Sequence, residues 1–97
     1  MICHVVLFKF HDGVGWDDPR FLEADRDVRV LPQSIPEILE WKCGRNVTNR
    51  EIAYDYAVIG NFKDKSAVET YLYHPVHMRG VDQWRQFSTW VVTDFEL

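Results

Sequence analysis

The chain has 97 residues, enough for one domain and one core. It is 46% hydrophobic, with four Trp, six Phe and four Tyr, more apolar bulk than a small monomer hides easily, so a second buried surface in an oligomer is expected. Fifteen acidic residues against eleven basic ones give a net charge of −4, and the scattered Lys and Arg exclude a phosphate-tracking DNA or RNA binder.

The opening run Ile2 to Phe10 alternates as a strand. Ile2, His4, Val6, Phe8 and Phe10 share one face, and Cys3, Val5, Leu7 and Lys9 the other, so both faces need cover. His11 to Gly15 is a turn. Asp17 or Asp18 offers an N-cap and Pro19 a first helical position. Phe21, Ala24, Val28 and Leu31 then recur at helical spacing, until Pro32 and Pro36 stop the helix.

Ile38 to Val47 reads as a second strand, with Trp41 and Cys43 facing inward or into an interface. Asn46 to Glu51 is a polar loop. Tyr54 to Phe62 is the third strand, with Tyr54, Tyr56, Val58, Gly60 and Phe62 on one face. Ser66 with Glu69 has the pattern of a capping box opening a helix that runs through Tyr73. His74 precedes Pro75 and is pushed out of helical geometry, so the helix breaks there. A further helix runs from about Pro75 to Phe87, and Thr89 to Leu97 is the last strand.

The order β-α-β-β-α-β, with the second helical region split, is the ferredoxin-like α+β arrangement. Helices cover one face of a four-stranded antiparallel sheet spanning residues 1–97 as one domain. The strands stay apolar on the other face, and a homodimer with C2 closure is the economical way to bury it.

The two cysteines, Cys3 and Cys43, have neither metal-ligand nor redox-motif spacing and read as buried thiols. Lys9 interrupts the N-terminal apolar run before it reaches signal-peptide form, and nothing approaches the roughly 20 apolar residues of a membrane span. No membrane partner and a cytoplasmic setting are expected.

The chemistry concentrates in Tyr71-Leu72-Tyr73-His74-Pro75-Val76-His77. His77 is suited to abstract a proton from a carbon beside a carbonyl, and Tyr71 to donate a hydrogen bond to the enolate oxygen that forms. His4, on an apolar strand, either lines a cavity or makes a satisfied buried hydrogen bond. Against this stands a structural reading in which Tyr71 and His77 are core residues satisfying each other. His74 is placed to cap the last carbonyls of its helix. A zinc site from His4, His74 and His77 requires three nitrogens to converge with no Cys or carboxylate spaced to help.

The whole length resembles the stress-responsive α/β-barrel (Dabb) family of dimeric α+β barrels. The resemblance is carried by Cys3-His-Val-Val-Leu-Phe-Lys-Phe10, Ile35-Pro36, Gly44-Arg-Asn-Val-Thr48, Asp55-Tyr-Ala-Val-Ile-Gly-Asn-Phe62, Tyr71 to His77, and Val91-Val-Thr-Asp94. It implies a dimer with facing sheets and a cavity between sheet and helices in each protomer. The family includes a polyketide cyclase that works without a cofactor, and its Tyr/His pair and strand histidine match Tyr71, His77 and His4. Some relatives hold a magnesium-like ion through backbone carbonyls, which match Pro32, Ile35 and Ile38 here.

From strand parity and the order of the strands, Val6, Phe8 and Val58 are expected to line the cavity, with Met78, Val81 and Phe21 or Leu22 closing it from the helices. Phe8 is bulkier than a small aliphatic residue and Trp41 narrows the entrance, which works against a long-tailed substrate and makes a smaller hydrophobic one as well suited. Three functions follow: a cofactor-independent acid–base enzyme of polyketide cyclase or isomerase type, a non-catalytic dimeric barrel acting as a binding or structural stress protein, and a cofactor-free or haem-handling monooxygenase.

Overall fold

Residues apolar at both parities make β1 (Ile2–Phe10) an interior strand of the sheet. It pairs antiparallel with β3 (Tyr56–Phe62) on one side and β4 (Ser88–Glu96) on the other, and β2 (Glu40–Arg45) pairs with β3 to give the order β2-β3-β1-β4. The structure is a computed structural model and describes every residue from Met1 to Leu97. Val6 stands opposite Val58 and Val92, while His4 stands opposite Gly60 and Asp94.

Helix α1 (Pro19–Arg29) begins as its sequence dictates. Asp18 is the N-cap, accepting a hydrogen bond from the Arg20 N–H at 2.8 Å, with Pro19 at the first position. A 3-10 turn, Leu31–Gln33, follows. Helix α2 (Lys65–Tyr73) is capped differently from the expectation. Asp64, not Ser66, takes the N-cap and accepts from the Ala67 N–H at 2.9 Å, so Ser66 lies inside the first turn.

At His74 (φ −64°, ψ 134°) the chain leaves helical geometry and starts α3 (Pro75–Arg85). Its ring does not cap the carbonyls of α2, as the sequence suggested. Instead Nδ1 accepts from the Val76 N–H at 3.1 Å, capping the beginning of α3. The strand expected over residues 38–47 is also shorter at both ends. The Ile38 N–H bonds back to the Ile35 carbonyl at 3.2 Å in a turn, and Asn46 folds onto Thr48.

All the helices lie over one face of the sheet, and the buried apolar side chains divide into two clusters. One centres on Phe8, Phe21, Tyr56, Trp84 and Phe87; the other centres on Ile2, Leu31, Ile35, Phe62 and Tyr71. Trp41 packs against both. Its ring lies over Gly60, where a Cβ would come within 2.8 Å of two ring carbons. The opposite face of the sheet has no helix over it and leaves Leu7, Ile59, Val91 and Phe95 exposed.

Candidate functional site

A cavity of about 670 Å³ opens at the seam between the two clusters. His4 and Val6 of β1 line it, with Val58 of β3 and Val92 of β4. Tyr71 of α2 and His77 of α3 enter from the helical layer. Strand alternation places His4 on this face, and the break at His74-Pro75 turns α3 so that His77 comes back over Tyr71. The three rings form a row: Tyr71 lies 4.2 Å from His77 and 5.3 Å from His4, centroid to centroid.

Hydrogen bonding fixes the role of each ring. His77 Nδ1 lies 2.9 Å from the Leu72 carbonyl oxygen. A carbonyl only accepts, so Nδ1 carries the proton and Nε2 is left as the basic nitrogen. Burial lowers the basicity of His77 below the usual range; the Leu72 contact opposes this, and His4 and His74 add to the lowering. The ring is therefore a neutral base near pH 7.

His4, 2% exposed, donates from Nδ1 to Asp94 Oδ1 at 2.5 Å, which fixes the orientation of its ring. Asp94 is the direct cross-strand neighbour of His4. Local sequence patterns gave no sign of the pair, because the two residues are 90 positions apart and meet only through the β1–β4 register.

Tyr71 is 3% exposed, yet its hydroxyl makes no hydrogen bond within the chain. No side-chain nitrogen or oxygen is sealed from solvent without a partner, so this hydroxyl opens on the cavity. Burial, and then the negative charge of Asp94, push its ionisation well above that of an ordinary phenol, so it stays a protonated donor. The second buried tyrosine on the helical side of the sheet is different. Tyr56 donates to Asp25 Oδ1 at 2.5 Å, and Arg29 Nε holds the same oxygen at 2.9 Å. Tyr56 is structurally satisfied; Tyr71 is not.

Of the other residues expected at the cavity, Val6, Phe8, Val58 and Val81 line it. Two expectations are corrected. Phe21 is fully buried against Tyr56, Trp84 and Phe87, away from the cavity wall. Met78 is 51% exposed and points outward, one residue round the helix from His77. Leu22, the alternative to Phe21, is also exposed and outside the lining. Trp41, Trp84 and Trp90 contribute to the wall instead. The Trp41 indole N–H donates to the Val28 carbonyl at 2.8 Å, which fixes the ring across the seam.

No group of three or more His, Cys, Asp or Glu is arranged to hold a metal. Of the backbone carbonyls Pro32, Ile35 and Ile38, that of Ile35 already accepts from the Ile38 N–H.

A βαββαβ sheet roofed by split helices over an imidazole–phenol cavity defines a ferredoxin-like α+β domain. The Stress responsive A/B Barrel Domain (Dabb) profile matches residues 2–97, and the chain belongs to that family. Protein SCO4036 of Streptomyces coelicolor is 46% identical over 96 residues, covering 99% of each chain. A dimeric ferredoxin-like protein from Thermobifida fusca superposes with a TM-score of 0.86 at 25% identity, covering 99% of this chain and 90% of that one. The hydroxynitrile lyase of Passiflora edulis shares the fold with a TM-score of 0.83 at 17% identity, covering 99% and 92%. No helix is long and apolar enough to cross a membrane.

Proposed function

We propose that the chain is a cofactor-independent acid–base enzyme that enolises a small apolar carbonyl compound, as in an aldol cyclisation or an isomerisation. The observation that carries this is the Tyr71 hydroxyl, without a partner in the chain and open to the cavity, with its ring set between two imidazoles on the wall. His77 Nε2 takes the proton from the carbon beside the carbonyl. The electron pair moves onto the carbonyl oxygen, where the Tyr71 O–H stabilises the developing charge. The imidazolium of His77 then returns the proton to carbon, or to the oxygen of a second carbonyl that the enolate has attacked. His4, oriented by Asp94, is a second proton carrier on the other side of Tyr71. One protein of the same fold, the Passiflora hydroxynitrile lyase, is an enzyme, which supports catalysis on this scaffold.

The exposed face carrying Leu7, Ile59, Val91 and Phe95 supports a homodimer, as does the dimeric character of the Thermobifida relative. A molecule with Cα extents of 37 × 26 × 16 Å has room on one broad side for the about 800 Å² per partner of a standard interface. A magnesium-like cation on the carbonyls of Pro32, Ile35 and Ile38 would brace the turn after α1 and takes no part in the proton transfer. The free thiols of Cys3 and Cys43 suit a reducing, cytoplasmic setting.

The test is deuterium incorporation from D2O beside the carbonyl of 4-phenylbutan-2-one, followed by proton NMR. Wild-type protein accelerates exchange above a buffer control, and His77→Ala abolishes the acceleration while thermal unfolding stays cooperative. Exchange unaffected by His77→Ala in a folded protein refutes the proposal and leaves the non-catalytic binding barrel as the better reading.

A further inference from the structure

The two ends of the cavity differ in chemistry, and the difference selects among substrates for the site proposed above, on which this inference rests. His4, Tyr71 and His77 form one end. Phe8 is four residues along β1 from His4, roughly 13 Å at the usual strand rise. There its ring lies against Trp84 at 4.3 Å and Trp90 at 5.7 Å, centroid to centroid, and all three rings line the cavity. A substrate with its carbonyl beside Tyr71 thus lays its far end on aromatic faces, which favour a flat apolar group.

The rim above this aromatic end is acidic. Arg20 at the start of α1 donates to the Gln86 carbonyl beyond the end of α3, and Asp27 accepts from Gln83 Nε2 at 2.8 Å, so this end of the cavity lies under the paired α1 and α3. Glu23, Asp27 and Asp82 are exposed there and line the opening. None of the three forms an ion pair, and the amide on Asp27 leaves its charge in place. The cations nearest them in sequence form no ion pair with them and lie outside the lining: Arg20 is held by Asp18 at 2.8 Å, Arg26 has no ion-pair partner, and the Arg85 guanidinium lies 5.7 Å from the Trp90 ring centre. Arg79, the remaining charged residue of the lining, stands three positions before Asp82 on α3 and offsets one of the three carboxylates, which leaves the lining two negative charges in excess.

We infer that the site takes an uncharged carbonyl compound with an aromatic tail, roughly 10 Å long, and that Glu23, Asp27 and Asp82 turn anionic substrates away. A carboxylate, or a phosphate-bearing carrier emerging from the opening, meets a net negative rim. For two uncompensated charges about 8 Å away, the penalty is on the order of tenfold in affinity at low salt and falls as salt is added.

The test compares 4-phenylbutan-2-one with its para-carboxylate, 4-(3-oxobutyl)benzoate, by isothermal titration calorimetry on the intact chain at low ionic strength. Wild-type protein binds the neutral ketone about tenfold more tightly. The gap closes in the isosteric, surface-exposed variant E23Q/D27N/D82N, and it narrows in 0.5 M salt. Equal affinities in the wild type, tighter binding of the carboxylate, or a gap that survives the neutralised rim each overturn the inference. Binding is read apart from turnover, so the two proposals fail separately. Charge-dependent binding without His77-dependent exchange removes the catalytic reading and leaves the selectivity; exchange without charge discrimination does the reverse.

Discussion

Replacing Tyr71 by Phe removes one oxygen and nothing else, and the structure predicts opposite effects on stability and on chemistry. The Tyr71 hydroxyl has no partner in the chain, so its loss leaves no buried group unsatisfied. The ring contacts to His4, Phe62 and His77 stay in place. The stability change is therefore within about 0.5 kcal/mol, the level of a substitution that breaks nothing. Tyr56→Phe is the matched control. It deletes a hydrogen bond to a carboxylate that Arg29 also holds, and about 1.5–3 kcal/mol is expected to go with it. Urea unfolding with linear extrapolation, at one fixed protein concentration because a dimer's stability depends on it, separates these values. Proton exchange into 4-phenylbutan-2-one should fall about 10²- to 10³-fold in Tyr71→Phe, the usual cost of removing a donor to a developing oxyanion. A Tyr71→Phe protein that loses 1 kcal/mol or more while keeping its exchange rate would refute the reasoning, because the hydroxyl would then be structural.

Four further outcomes follow from the same geometry. The exchange rate should rise with pH to a plateau whose midpoint lies below the ordinary histidine value, because His77 acts as a free base and its folded-state basicity is lowered mainly by burial. The same lowering means that the unfolded chain binds the proton more readily. The His77 contribution therefore favours unfolding as pH falls through the unfolded-state value, and a His77→Gln variant flattens that part of the stability profile. Gly60→Ala drives a methyl to 2.8 Å from the Trp41 ring and 3.1 Å from Phe62, and a loss of about 1–3 kcal/mol is expected in thermal or urea unfolding. Leu7→Lys combined with Val91→Lys places like charges on cross-strand neighbours of the bare face. Sedimentation equilibrium should show a dimer for the wild type and a monomer for the pair; a monomeric wild type contradicts the homodimer.

The strand and helix order was legible because its signals are local. Alternation set the faces of β1 and β3, Asp18-Pro19 started α1, and His74-Pro75 broke the second helical region where the backbone does turn. The capping of α2 is not legible from the pattern alone, because Ser66 and Glu69 satisfy it, whereas Asp64 reaches the Ala67 N–H from three residues before it. Helix phase limited the cavity wall. Phe21, Ala24 and Val28 share a stripe and pack in one cluster, but only Val28, at the far end of the stripe, reaches the cavity. Met78 and His77 are adjacent, and the roughly 100° between neighbouring helical residues sends one out and the other in. Asp94 and the aromatic wall of Trp84 and Trp90 depend on pairing between distant strands and helices, which spacing along the chain does not encode.

The most direct measurement is a high-resolution crystal structure of the protein soaked with 4-phenylbutan-2-one. The ketone oxygen is expected within about 2.6–3.2 Å of the Tyr71 hydroxyl, with the adjacent carbon facing His77 Nε2. A ketone lodged elsewhere, or one whose oxygen ignores Tyr71 while its ring occupies the cavity, would contradict it.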